Sequence, residues 1–233
     1  MSSVDLGGKV VVVTGGFGSL GSSVGRTLTA AGAKVALLDR AEASRAPADH
    51  GAAMLLGGVD LGSAPAASGA IDEVVRRLGR LDGLVNVAGG FRWEKVEGGS
   101  IDTWDVLYQM NLRTAVIASQ AALAHLRANS GSIVNVGAGA AAKAGTGMGA
   151  YAASKAGVAR LTEALAEELK DAGVTVNAVL PSIIDTAPNR ADMPAADFSR
   201  WVKPGQIADL IAFLLSDRAR AITGALIPIT GRV

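Results

Sequence analysis

The 233-residue sequence has no cysteine. Disulfides, thiolate nucleophiles and cysteine-ligated metals are therefore excluded. Histidine is almost as scarce. His50 and His125 stand far apart and read as surface or structural imidazoles, so no metal site is expected. Aromatic residues supply only 4% of a chain that is 49% apolar. Alanine and 30 glycines take their place, which points to close helix-on-sheet packing. Neither charge sign dominates: 22 basic and 21 acidic residues leave a net charge of +1. That balance gives no electrostatic reason to expect nucleic acid or a charged membrane surface as partner. No apolar run reaches membrane-spanning length, and the opening Met1-Ser-Ser-Val-Asp-Leu-Gly lacks the character of a signal peptide. A cytoplasmic protein acting on a small molecule is the default expectation.

What the chain does have is alternation. Seven short apolar runs recur, at Val10–Val13, Val35–Leu38, Met54–Val59, Leu84–Val87, Ile133–Val136, Val174–Val179 and Leu226–Ile229. Several are nearly continuous, as strands buried on both faces of a parallel sheet are. Helical spacing falls between them, at Ile71, Val74, Val75 and Leu78 and again at Ile207, Leu210, Ile211 and Leu214. The stretches 101–127 and 150–171 have room for long helices. The pattern predicts an α/β fold, a Rossmann-type doubly wound seven-stranded parallel sheet, as a single domain over 1–233. Residues 40–52 read as a short or frayed crossover. Residues 187–205 carry Pro188, Pro194 and Pro204 without a clear strand, and read as a substrate lid.

The first run leads into Thr14-Gly-Gly-Phe-Gly-Ser-Leu-Gly21. Glycines there permit a tight turn and close approach to a pyrophosphate, and the following helix start offers free N–H groups. Asp39 ends the second run, 18 residues after Gly21. A carboxylate at that point accepts from ribose hydroxyls and repels a 2′-phosphate, which favours NAD(H). Arg40 beside it keeps NADP(H) open. Farther on, Tyr151 and Lys155 stand four residues apart. On a helix they share a face, and a neighbouring ammonium is expected to lower the phenol's pKa so that it passes a proton near neutrality.

These pieces together resemble the classical short-chain dehydrogenase/reductase family over almost the whole chain. The resemblance rests on Thr14-Gly15 with Gly21, Asp60-Leu61, Asn86-Val-Ala-Gly89, Asn111, Tyr151 with Lys155, and Pro181 through Thr186. It implies that the loop Gly15, Phe17, Gly18, Ser19, Leu20 and Gly21 holds the dinucleotide, with Asp39 and Arg40 at its ribose. It further implies Asp60 and Leu61 by the adenine, and Asn86, Ala88 and Gly89 as cofactor support. Pro181, Ile184 and Thr186 would lie by the nicotinamide. Tyr151 would be the proton donor and Lys155 its modulator, holding the nicotinamide ribose. Asn111 would support a relay water. A homodimer or homotetramer through the long helices is implied as well.

Two positions depart from the family pattern. Ser19 stands where the loop's middle glycine is usual. The family's catalytic serine falls thirteen residues before the tyrosine, and here that residue is Ala138. One branch, the quinonoid dihydropteridine reductases, lacks that serine. This chain is similar to it in Gly15–Gly21, Val87-Ala-Gly-Gly-Phe91 and Gly145-Thr-Gly-Met-Gly-Ala-Tyr151. It is also similar in the string from Asp185 through Pro188-Asn-Arg190, Met193-Pro194 and Asp197-Phe-Ser199 to Trp201. The resemblance implies NADH-dependent reduction of a quinonoid dihydropterin or another activated planar heterocycle, with Phe91, Ala138 and Trp201 near the substrate. The alternatives are a carbonyl reductase that tolerates Ala138, and a non-catalytic dinucleotide-binding sensor or scaffold.

Overall fold

A computed structural model describes residues 4–233. The strands are β1 (Val10–Thr14), β2 (Lys34–Leu38), β3 (Met54–Leu56), β4 (Gly83–Asn86), β5 (Ser132–Val136), β6 (Thr175–Pro181) and β7 (Leu226–Ile229). They form one seven-stranded sheet in the order β3-β2-β1-β4-β5-β6-β7. Every neighbouring pair is parallel, as the sequence predicts.

Successive residues of a strand point to opposite faces, and both faces are covered. Val10, Val12, Leu38, Leu84 and Ile133 enter one core. It is roofed by α2 (Ala64–Leu78), α4 (Thr114–Ala128) and α5 (Gly149–Leu169). Val11, Val13, Leu37, Val85 and Val134 enter the other, under α1 (Ser19–Ala30) and α7 (Pro204–Leu215). Two-sided burial is why the strands read as unbroken apolar runs. The chain runs outward from β1 through β2 to β3, then returns to place β4 on β1's other side. That reversal leaves a crevice at the carboxyl ends of β1 and β4, where open α/β sheets bind ligands.

Some boundaries differ from the prediction. β3 stops at Leu56 because the chain turns away at Gly57-Gly58, and Val59 N–H bonds back to Asp39 O at 2.9 Å. The predicted long helix at 101–127 is three pieces. They are α3 (Ile101–Leu107), a π-helical turn at Tyr108–Arg113, and α4. Apolar periodicity cannot register that wider turn. The 40–52 crossover holds a single 3₁₀ turn, Ala43–Arg45.

The segment 187–205 is built more firmly than its prolines imply. The Thr186 side chain caps α6 (Ala187–Asp192) by accepting from Asn189 N–H. Asn189 Nδ2 donates to Ile184 O at 2.7 Å. Arg190 pairs with Asp185 at 2.6 and 2.9 Å and lies 4.8 Å over the Phe198 ring. Asp197 caps the turn Phe198–Arg200, and Phe198 meets Trp201 at 4.8 Å between centroids. The expected substrate contact of Trp201 is therefore corrected. The indole is 5% exposed and packs inward, while the cavity described below is lined by others. Trp201→Ala is expected to lower unfolding free energy by about 3–5 kcal/mol in urea titration; a loss below about 1 kcal/mol would show that the ring anchors nothing.

Candidate active site

β1 delivers Thr14 to the crevice, where its hydroxyl oxygen accepts from Val87 and Ala88 N–H at 3.1 and 3.2 Å. Gly15 follows with φ +62, and a Cβ on it would stand 2.9 Å from the Ala88 backbone. A Cβ on Gly21 would lie 2.1 Å from Gly15 O. The turn therefore closes only with glycine at both places. Gly18 precedes α1 and brings no capping side chain, so the amides of the first turn face an incoming anion.

Asp39 does two things at the end of β2. Its Oδ2 accepts from Phe17 N–H and its Oδ1 from Ala41 N–H, each at 3.0 Å. The carboxylate thus fixes the glycine turn as well as facing the cavity. Phe17 serves through its backbone, while its ring packs on the α1–α7 core. Asp60 is held by Gly62 N–H at 2.9 Å.

The crevice is a cavity of about 930 Å³. At one end lie Gly15, Gly18, Leu20, Gly21, Asp39, Arg40, Asp60 and Leu61. At the other lie Ala88, Gly89, Phe91, Ala138, Tyr151, Lys155, Pro181 and Ile184. Ser19, Asn86, Asn111 and Thr186 are not on its wall. Ser19 starts α1, Asn86 is buried below the β4 turn, and Thr186 is the α6 cap.

Tyr151 and Lys155 share the first turns of α5. Lys155 is 6% exposed, and its Nζ donates to Val136 O at 2.8 Å. Burial pulls its pKa down to about 8. Burial pushes Tyr151 up to about 12; the Phe91 ring meets the phenol edge-on at 4.9 Å. This corrects the expectation that the ammonium lowers the phenol's pKa. The charge is directed at the Val136 carbonyl, and desolvation governs both groups.

Asn111 sits in the π turn, a distortion common at functional positions. Its Oδ1 accepts from Gly90 N–H at 2.8 Å, and its Nδ2 donates to Gly90 O at 3.1 Å and Ser154 Oγ at 3.0 Å. Ser154 Oγ in turn donates to Tyr151 O at 2.8 Å. The side chain thus ties the turn after β4 to α5. Sequence reasoning passed over Ser154, although it sits between the two chosen residues of Tyr-Ala-Ala-Ser-Lys. It also passed over Thr14 as the support of the Val87-Ala88 turn.

A glycine turn, an acidic residue after β2 and a tyrosine–lysine helix around one crevice define a dinucleotide-dependent oxidoreductase. Residues 9–196 match the short chain dehydrogenase family, and the chain belongs to that family. It is 34% identical over 243 residues to 2-(S)-hydroxypropyl-CoM dehydrogenase 3 of Xanthobacter autotrophicus, covering 96% of this chain and 95% of that one. The 3-ketoacyl-(acyl-carrier-protein) reductase from Brucella melitensis, solved with NADH, superposes with TM-score 0.89 at 28% identity, over 98% of this chain and 99% of that one. A short chain dehydrogenase from Burkholderia cenocepacia, solved with NADP, gives 0.86 at 34% identity over 97% and 98%. The protein is an NAD(P)-dependent oxidoreductase. Among the described residues no helix is long and apolar enough to cross a membrane, and no cluster of metal-ligating side chains is found.

The two buried groups give a pH signature. The folded chain releases the Lys155 proton near 8, whereas the ordinary value is 10.5. The unfolded chain therefore binds more protons between those limits, and stability rises with pH there. Tyr151 acts in the opposite sense above its ordinary value of 10.0, because the folded phenol keeps its proton to about 12. Between about pH 8 and 10 the lysine acts alone. Urea titrations should show the parent gaining stability relative to Lys155→Met across that window. A constant difference would mean that Lys155 is not desolvated.

Proposed function

We propose that the chain transfers a hydride between NAD(H) and a flat, already electron-poor acceptor of the quinonoid dihydropterin kind, with Tyr151 as the acid. The cavity residues suit a dinucleotide. The glycine turn and the uncapped α1 terminus receive the pyrophosphate, Asp39 the adenosine ribose, and Lys155 the nicotinamide ribose. The nicotinamide, when bound, supplies the hydride. Asp39 is the reason for preferring NADH, since a fixed carboxylate repels a 2′-phosphate. Arg40 on the same wall leaves NADPH as the second choice. Tyr151 gives its proton to the substrate, and Asn111 holds α5 and the Gly89-Gly90 turn together beneath it.

The observation that carries the substrate class is the wall beside Tyr151. Ala138 is an extended residue following β5 and offers no donor there. Besides Tyr151, the side-chain hydroxyls on the described cavity wall belong to Thr114 and Ser182. Thr114 donates to Met110 O at 2.8 Å and Ser182 to Thr230 O at 2.7 Å. Neither hydroxyl proton is free for a developing oxyanion. Losing one such donor typically costs about 2.7–4 kcal/mol in the barrier. A quinonoid acceptor avoids that demand, because its reduction protonates nitrogen and develops no carbonyl oxyanion. Phe91, 54% exposed beside the phenol, offers a flat heterocycle an aromatic neighbour. The Pro188–Trp201 string and its resemblance to dihydropteridine reductases support the same reading.

The second reading is a carbonyl or alcohol oxidoreductase that works with Tyr151 alone. It is favoured by the names of the relatives, one a hydroxypropyl-CoM dehydrogenase and another a ketoacyl reductase. A homodimer or homotetramer and a closing movement of 187–205 belong to the proposal too. The exposed Ile101, Trp104 and Tyr108 side of α3 and the π turn is a surface for a second copy to cover.

Tyr151→Phe is expected to cut turnover by about 10²–10⁴, with NADH affinity near the parent value by fluorescence titration; unchanged turnover would falsify the acid role. Ala138→Ser restores a donor. It should raise the rate on simple ketones, by up to about 10²-fold, and do less for a quinonoid pterin. A greater gain on the pterin would remove the argument from Ala138. Asp39→Asn keeps an acceptor for the glycine turn while removing the charge, so it should shift the NADH/NADPH affinity ratio toward NADPH. Asp39→Ala should instead weaken both cofactors. Equal ratios in parent and Asp39→Asn would show that the carboxylate does not choose the cofactor.

A further inference from the structure

A chain of buried hydrogen bonds crosses the sheet beneath the cavity, with one residue from each of four elements. On α5, Thr162 Oγ1 donates to Val158 O at 2.8 Å and accepts from Asn135 Nδ2 of β5 at 2.9 Å. Asn135 Oδ1 accepts from Asn86 Nδ2 of β4 at 2.9 Å. The same Asn86 Nδ2 donates to Ser119 Oγ of α4 at 3.1 Å. All four residues are buried. The direction of the chain is set from its α5 end. Thr162 spends its proton on Val158 O, so it can only accept from Asn135. That turns the Asn135 carbonyl toward Asn86, and the Asn86 amide toward Asn135. Asn86 Oδ1 is left buried with no hydrogen-bond partner among the described residues. A stranded acceptor is a cost to stability, and the chain retains its orientation despite that cost.

The members adjoin the site. Asn135 directly precedes Val136, whose carbonyl receives Lys155 Nζ. Asn86 directly precedes the Val87-Ala88-Gly89 turn on the cavity wall. Thr162 lies seven residues beyond Lys155 on α5, which is about 10 Å along a helix axis. Two neighbouring residues of β5 are therefore tied to two separated points of α5, one through a long lysine and one through a short threonine. A single tie leaves a helix free to tilt about it, whereas two ties remove that freedom.

We propose that Thr162 and Asn135 are positioning residues for Lys155. Through them α5 is held at one height and tilt over β5, so that the ammonium is presented to the cofactor's ribose and the phenol of Tyr151 to the substrate. The inference rests on the reading of Lys155 as a cofactor-holding group.

The test compares buried hydroxyls removed at two places. Thr162→Val keeps the side-chain volume and removes Asn135's acceptor, and Thr162→Ser puts the hydroxyl back. Thr175→Val is the matched control. It removes an equally buried bond, Thr175 Oγ1 to Ser132 Oγ at 2.9 Å, at the other end of the sheet. Affinity for NADH and for NADPH is read by fluorescence titration without any substrate, beside the thermal midpoint. Thr162→Val is expected to weaken the better-bound cofactor by about tenfold or more, since small displacements of a binding group are amplified in this way. Thr162→Ser should return to within about twofold of the parent. Thr175→Val should lower the thermal midpoint comparably and leave cofactor affinity alone. If Thr162→Val and Thr175→Val lower the midpoint alike and neither changes affinity, the four residues are packing only and the inference is overturned. Should Thr162→Val not fold, Thr162→Ala, which leaves room for water to serve Asn135, carries the same comparison. Lys155→Met separates the two readings. Affinity unchanged in Lys155→Met defeats the reading of Lys155 itself. Affinity lost there but kept in Thr162→Val defeats only the positioning.

Discussion

Burying a lysine ammonium is the demand around which this site is arranged. An amine taken out of water must be met by an acceptor or lose its proton. Here the acceptor is the Val136 carbonyl, at the carboxyl end of β5. That contact ties α5 to the carboxyl end of β5. It also places Tyr151, one turn earlier on the same helix, beside Ala138 and Phe91 at the cavity's inner end.

The cavity's two ends are built by different physics. At the outer end the backbone does the work, through a turn that only glycine at Gly15 and Gly21 can close and a helix start with no side-chain cap. On the proposed reading such a site takes any dinucleotide pyrophosphate, and selectivity falls to Asp39 and Arg40. At the inner end buried side chains do the work. Ala138 carries no hydroxyl, and those of Thr114 and Ser182 are committed to backbone carbonyls; on the proposed reading this favours an acceptor that needs only a hydride and a proton over one that needs oxyanion stabilisation.

Much of this was legible from residues alone, for identifiable reasons. Strands buried on both faces leave continuous apolar runs, so the sheet and its parallel sense followed from Val10–Val13 and its counterparts. The glycine turn, Asp39 and the Tyr151–Lys155 spacing are local in sequence and could be read directly. What was hidden depends on partners distant in the chain. The pKa of Tyr151 is raised by burial, which depends on the packing around α5 and not on the lysine one turn away. The π turn around Asn111 leaves no mark in apolar periodicity. Trp201 stood beside a plausible substrate loop but turned inward, because Phe198 and the Asp185–Arg190–Phe198 contacts gave it a packed surface. The string from Asp185 to Trp201 is largely the set of residues that fold that loop.

The central claim is that this site is made for an activated planar acceptor and not for an ordinary ketone. Its most direct test is the initial rate of NADH oxidation with chemically generated quinonoid dihydropterin, set beside a panel of simple ketones, with the non-enzymatic oxidation by the quinonoid compound subtracted. The account predicts rapid enzyme-dependent turnover of the pterin and little with the ketones. Efficient reduction of ketones with no enzyme-dependent pterin rate would contradict it and establish the carbonyl reading instead.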